Sequence, residues 1–148
     1  MPTTPRQTGP SALSASVEAH CVDPKFVRPG WAIAAPLLKP AMRRGGLGRF
    51  ADLERGVLFG NSLLWLALED GTAIAAAVTD LVCTDVDKVC LIAAAGGVRM
   101  RGWLHLLERV EAFARDEHCT VVRLMGRKGW ARMLPHYQQD HIILDRRL

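Results

Sequence analysis

The sequence predicts an α/β fold in which a central mixed β-sheet is flanked by helices, and three observations carry that expectation. Helical apolar spacing dominates residues 27–59, a hairpin pattern occupies residues 63–82, and residues 88–125 read as strand, helix, strand. The helix of the last unit must cross over the sheet. Its two strands are therefore expected to be parallel, joined by a right-handed connection. At 148 residues the chain suits one domain with one sizeable core.

The elements follow in order. Residues 1–15 are rich in Pro, Ser and Thr, nearly lack large apolar groups, and are expected to form a flexible tail ahead of a domain over 16–148. A short strand is expected at Ser16 to Val22. Asp23-Pro24 reads as an N-cap with proline at the first helical position. Beyond it Val27, Trp31, Ala34, Leu38 and Met42 recur at helical spacing. Pro29, Pro36 and Pro40 share a face away from that stripe. Each removes a backbone donor, so a broken or kinked helical segment is expected, ending at Gly45-Gly46-Leu47-Gly48. A second short helix spans Phe50 to Phe59 and closes at Gly60-Asn61.

Leu63 to Glu69 and Ala73 to Val82 form a hairpin around Asp70-Gly71. After a turn at Thr84 to Asp87 comes the apolar strand Lys88 to Ala95. Runs of this kind suit strands covered on both faces. Trp103 to His118 is the clearest helix, with Trp103, Leu107, Val110 and Ala114 as its apolar stripe, widened by Leu106 and Phe113. Glu111 and Arg115 are placed for an i,i+4 pair on its outer face. Cys119 to Met125 is a strand, Gly129 to Leu134 a short helix, and His141 to Arg147 a last strand. Trp31, Trp65 and Trp103 read as core, and Trp130 as an anchor of the short helix.

Composition narrows the function classes. No apolar run approaches the roughly 20 residues of a membrane span, and Met1 to Ser16 lacks the apolar region of a secretory signal, so a cytoplasmic protein is expected. Cys21, Cys83, Cys90 and Cys119 are widely spaced and expected to be reduced and buried. The histidines match no zinc spacing, so no metal is expected. Residues 1–98 carry nine basic and nine acidic side chains, and residues 99–148 ten and six, so the whole excess of +4 lies in the last third. That excess suits a solvated basic face or a phosphorylated ligand.

Two turns stand at ends of strands, where open sheets place ligands. The first runs Ala93-Ala94-Ala95-Gly96-Gly97-Val98-Arg99-Met100-Arg101-Gly102. Its glycines would let the backbone approach a ligand, the helix N-terminus presents free N–H groups, and Arg99 and Arg101 suit phosphate. The second, Gly126-Arg127-Lys128-Gly129-Trp130, is basic and carries an aromatic ring that could stack on a base. No helix-turn-helix, RRM or KH signature accompanies it, so nucleic acid is not an expected partner.

Over residues 16–148 the order of elements resembles the Gcn5-related N-acetyltransferase (GNAT) superfamily. The stretches LLWLALEDGTAIAAAVTD, VEAFARDEHCTVVRLMGRKGWARMLPHY and IILDRRL are similar to small GNAT-like proteins of phages and prophages. The resemblance implies the acyl-CoA N-acyltransferase fold, acetyl-CoA as cofactor, and transfer of its acetyl group to an amine on a small molecule or protein. It also implies that the strand Cys90 to Ala95 lies beside the pantetheine arm, and that the cofactor is bound over Ile92 to Gly102, with Ile92, Ala93, Ala94, Ala95, Gly96 and Gly97 among its contacts. Arg99-Met100-Arg101-Gly102-Trp103-Leu104 is the nearest match to the pyrophosphate turn, through Arg99 and Gly102, with Leu104 where the family has a small residue and Arg101 adding charge suited to phosphate. Asp80, on a strand face shared with Ile74, Ala76 and Val78, is the candidate base. Tyr137, the only tyrosine, is the candidate acid. The alternative is a catalytically inactive GNAT-fold binding or virion-associated protein, with protein partners in a phage particle.

Overall fold

The computed structural model describes residues 16–126 and 129–148. A five-stranded sheet of order β1-β2-β3-β4-β5 forms its centre. The strands are β1 (Val17–Cys21), β2 (Leu63–Glu69), β3 (Thr72–Cys83), β4 (Lys88–Gly97) and β5 (Val121–Leu124), and the helices are α1 (Val27–Gly45), α2 (Phe50–Leu58), α3 (Met100–Asp116) and α4 (Gly129–Met133). The first four strands pair antiparallel. β4 and β5 are parallel across α3, as a crossover requires.

Local chemistry accounts for the boundaries. Asp23 caps a short 3-10 turn by accepting from the Lys25 N–H at 2.9 Å. α1 then runs unbroken through Pro36 and Pro40, which corrects the expected break. Pro29, Pro36 and Pro40 all face solvent, where backbone groups that a proline leaves unpaired are hydrated at little cost. Gly46, at φ 65°, closes α1 and donates its N–H to the Met42 carbonyl at 3.0 Å. In the β2–β3 hairpin both Asp70 (φ 49°) and Gly71 (φ 85°) take positive φ. That is the left-handed pair a two-residue hairpin demands, and the reason Asp-Gly signals it.

The sheet is covered on both faces. Trp31, Ala34, Leu38, Leu53 and Val57 of α1 and α2 pack on Leu64, Leu66, Ala76, Val78 and Ala94. On the other face Trp103, Leu106, Leu107, Val110 and Ala114 of α3 pack on Trp65, Ala67, Ala77, Cys90 and Ile92. Ala75, Ala76 and Ala77 are fully buried at the middle of β3. Their small side chains bring the layers close.

Four expectations need correction. Residues 141–147 form no strand: they are exposed and pair with nothing described, so the apolar run Ile142-Ile143-Leu144 lacks the ladder that defines a strand. Cys83 is exposed, although all four cysteines are free. Glu111 makes no ion pair with Arg115 among the described residues; its carboxylate faces inward and accepts from the Tyr137 hydroxyl at 2.6 Å. Ile74 packs in the α3 cluster, and so does not share the face of Ala76 and Val78. The expected tail (1–15), and Arg127 and Lys128 of the second basic turn, lie outside the described residues.

Candidate functional site

The site is built where β4 and β5 part. Their parallel ladder runs from Val89–Val121 to Ile92–Leu124 and stops there, while β4 continues to Gly97. The pairing of β4 with β3 shifts at the same point, because Val78 faces Ala94 and Thr79 faces Ile92, leaving Ala93 as an extra residue. Such a bulge bends the strand and increases its twist. As a result Ala93 and Ala94 both pack toward α1 and α2. Beyond Ile92, the edge of β4 that faced β5 has no strand partner among the described residues.

A cleft of about 50 Å³ occupies the parting, lined by Ile92, Ala93, Ala94, Ala95, Trp103, Leu124, Met125 and Trp130. Ligand pockets for drug-sized molecules run to roughly 300 Å³ or more, so this cleft is much smaller than such a pocket. Its side chains are apolar except for two indole N–H groups. Trp103 and Trp130 meet edge to face with ring centroids 5.2 Å apart. Trp103 is only 4% exposed, and its Nε1 is buried without a hydrogen-bond partner. An unsatisfied buried donor costs about 1–3 kcal/mol.

The turn after β4 holds the other expected residues. Glycine at 96 is demanded by packing alone: a Cβ there would stand 2.3 Å from the Leu37 carbonyl oxygen of α1. At Gly97 and Gly102 it would stand 2.5 Å and 2.7 Å from atoms of Ile74. Arg99 and Arg101 converge on one carboxylate, with Nη1 of Arg99 at 2.9 Å from Oε1 of Glu69 and Nη1 of Arg101 at 3.6 Å from Oε2. Glu69 keeps 10% side-chain exposure, against 59% and 47% for the two arginines. One acid between two guanidiniums leaves a net positive charge at the start of α3. That helix has no side-chain N-cap bond from Arg99 and no acid in its first turn, so no carboxylate of its own offsets the positive end of its dipole. Leu104 is 40% exposed on the outer side of the helix.

Glu69 was not singled out from the sequence. Ala67 faces Ala75, which faces Gly97, so the end of β2 reaches the β4–α3 turn across β3. Only that register reveals the acid.

Asp80 and Tyr137 do not line the cleft. The Asp80 carboxylate accepts from the Ser62 hydroxyl in a short hydrogen bond, and its register partner on β4 is Leu91, outside the cleft. Tyr137 packs half-buried beside the α3 cluster and donates to Glu111. Burial, reinforced by that carboxylate, pushes its hydroxyl well above the usual tyrosine range. Cys90, on the strand leading into the cleft, is pushed up to about 11, mainly by burial.

A larger surface groove of about 380 Å³ lies along Pro36, Lys39, Pro40, Arg43 and Arg44. It is the solvated outer side of α1. Among the described residues no cluster of metal-ligating side chains exists, and no helix is long and apolar enough to cross a membrane.

The architecture matches solved acetyltransferases. A GCN5-related N-acetyltransferase from Ralstonia eutropha JMP134 aligns with a TM-score of 0.61 and 13% identity over 90% of this chain and 99% of its own. A predicted acetyltransferase with acetyl-CoA from Clostridium acetobutylicum aligns with a TM-score of 0.60 and 15% identity, covering 88% of this chain and 96% of its own. An aminoglycoside acetyltransferase from an uncultured soil metagenomic sample aligns at 0.66 and 10% identity, with coverages of 89% and 96%. No family model matches the sequence, and no curated protein matches it. At these identities the likeness is one of fold, and the fold is that of the GNAT acetyltransferases.

Proposed function

We propose that the protein is an acyl-CoA-dependent N-acyltransferase, with acetyl-CoA as donor and an amine as acceptor. The observation that carries this reading is the parting of β4 from β5 at the Ala93 bulge. It supplies an unpaired strand edge and a narrow apolar cleft beside a buried, unpartnered Trp103 N–H.

The residues present fit such a cofactor. Ile92 to Ala95 would hold its extended arm through main-chain groups, and Trp103 would donate to an acceptor on that arm. Gly96, Gly97, Arg99, Arg101, Gly102 and the first N–H groups of α3 would face its phosphates. Glu69 holds both arginines in readiness. When bound, acetyl-CoA would supply an activated acyl thioester. The protein's part is to hold that thioester in a dry cleft while the neutral amine approaches. Neither Asp80 nor Tyr137 lines the cleft, so this reading gives the amine's proton to water and leaves those two side chains to hold Ser62 and Glu111.

The described cleft lining contains no ionisable side chain. That observation favours a second reading, a GNAT-fold binding protein without catalysis.

Calorimetric titration with acetyl-CoA and CoA tests the first reading. Micromolar binding is expected, weakened about fivefold by Trp103→Phe, the equivalent of roughly one neutral hydrogen bond. Arg99→Ala/Arg101→Ala should weaken it further. No heat at millimolar cofactor from a folded sample would sink the proposal. Binding without thiol release across a panel of amines would establish the second reading.

A further inference from the structure

The two long helices of the chain meet solvent differently. α3 exposes Glu108, Arg109, Arg115 and Asp116, the mixture of signs expected of a solvated helix face. α1 contains no acidic, amide or hydroxyl side chain at all. At about 100° per residue, its exposed Pro29, Ile33, Pro36 and Pro40 fall in one apolar stripe. Arg28, Lys39 and Arg43 run along one side of that stripe, and Arg44 stands on the other. The C-terminal half of this face is concave, since Pro36, Lys39, Pro40, Arg43 and Arg44 line the groove of about 380 Å³.

Nothing among the described residues neutralises these cations. All 15 acidic side chains of the chain lie among the described residues, and the ion pairs found there engage Arg55, Arg99 and Arg101, none of them on α1. The acids nearest in sequence are already engaged. Asp23 accepts from the Lys25 N–H, Asp52 pairs with Arg55 at 3.4 Å, and Glu54 accepts from the Trp31 indole at 2.7 Å. Lys39 lies 5.7 Å from the Phe50 ring centroid. Arg43 and Arg44 suit the negative end of the helix dipole, but Arg28 stands in the first turn, where a cation opposes it. Helix chemistry alone therefore does not account for the row.

We infer that this face docks an extended, acidic segment of a partner protein. Carboxylates of the segment meet Arg28, Lys39, Arg43 and Arg44, and its apolar side chains lie on the proline stripe. Pro36 and Pro40 have no N–H to give to the carbonyls of Ala32 and Pro36, so main-chain acceptors stand ready for the N–H groups of a peptide. From Arg28 to Arg44 the face rises about 24 Å, the length of about seven extended residues. The same carbonyls disfavour other polyanions, because neither hydrocarbon nor phosphate oxygens offer them a donor. No base can stack on α1, whose single aromatic ring, Trp31, is buried. A second copy of this chain, at net charge +4, is repelled by a basic face. The stripe points away from the sheet, so the docking does not depend on what the cleft binds.

Fluorescence anisotropy of the full chain with a labelled peptide repeating Glu-Glu-Leu, beside its Lys-Lys-Leu counterpart, tests the docking. Saturable binding of the acidic peptide alone is expected, weakening as salt rises. Lys39→Gln/Arg43→Gln/Arg44→Gln should weaken it about tenfold, the sum of three exposed ion pairs, and Ile33→Gln should weaken it separately. All the replaced side chains are exposed, so the variants should fold with unchanged circular dichroism. Arg146→Gln/Arg147→Gln removes charge elsewhere and should leave binding unaltered. No binding by the wild type, or an equal loss in the Arg146/Arg147 variant, overturns the docking. So does tighter binding of phosphatidylserine vesicles or single-stranded RNA than of the peptide. Amide chemical shifts of the isotope-labelled wild type decide the question without any variant. Changes centred on α1 are expected on adding the acidic peptide, and changes centred elsewhere overturn the docking.

Discussion

The middle of the sheet and its β5 margin are built to different rules. In the middle, strands are sealed on both faces and buried polar atoms are matched: the Trp65 indole N–H donates to Thr79 Oγ1 at 2.9 Å, with Thr79 only 1% exposed. Toward the margin, β5 is only half-buried, and Trp103 has an indole N–H as deeply buried as that of Trp65 but without an acceptor. The other buried side-chain polar atom without a hydrogen bond among the described residues, Oε2 of Glu69, lies at the end of β2, 3.6 Å from Nη1 of Arg101 in the turn after β4. Stability is expected to reside where polar groups are satisfied, and the proposed binding cleft lies beside one that is not.

The largest test of that contrast is Leu38→Ala against Met125→Ala. Leu38 is fully buried between α1 and the sheet, and its truncation should cost about 2–5 kcal/mol in denaturant unfolding. Met125, at 54% exposure on the cleft rim, should change stability by no more than about 0.5 kcal/mol. Equal losses would mean that the margin is as tightly built as the middle.

A smaller effect separates the two indoles. Thr79→Val strips Trp65 of its acceptor and should cost about 1–3 kcal/mol, whereas Trp103→Phe removes an already unsatisfied donor and should be nearly neutral or stabilising. A Trp103→Phe loss larger than that of Thr79→Val would show that its N–H is satisfied within the folded chain, since the smaller ring accounts for only part of such a loss.

The smallest effect is invisible at neutral pH. The Cys90 thiol is raised from 9.0 to about 11 in the folded chain, so the folded state holds that proton more tightly than the unfolded state. The sign follows: this contribution is fully present below pH 9.0 and is lost as pH rises toward about 11. Tyr137, raised by burial and by Glu111, adds a loss of the same sign at still higher pH. Unfolding free energies between pH 8 and 11 should fall, and fall less steeply in Cys90→Ala than in wild type. Equal slopes would show that the buried thiol contributes nothing to the alkaline loss.

Local signals were read well from the residues alone. Asp70-Gly71 announces its hairpin because few dipeptides tolerate two positive φ values in succession, and the α3 stripe announces its buried face because helical spacing gathers it. The Gly/Arg turn was legible as a turn, but its internal chemistry was not. Gly96 answers to Leu37, some sixty residues earlier, and the two arginines answer to Glu69, which no spacing in the sequence connects to them. Glu111 shows the same limit from the other side. Helical geometry offered it Arg115, and the fold gave it Tyr137. The proline-bearing helix was misjudged because the penalty for proline depends on which groups lose water, and at Pro36 and Pro40 those groups face solvent.

By itself the sequence determined the element order from β1 to α4, the apolar faces of the helices and the parallel crossover, since these depend on periodicity and turn chemistry within a few residues. Tertiary structure alone decided where β4 leaves β5, which acid holds Arg99 and Arg101, which indole lacks an acceptor, and that Ile142 to Leu144 find no place on their own sheet. Each of those is a pairing between distant residues, and a hydrogen bond or packed contact exists only when the chain brings both partners within a few ångströms.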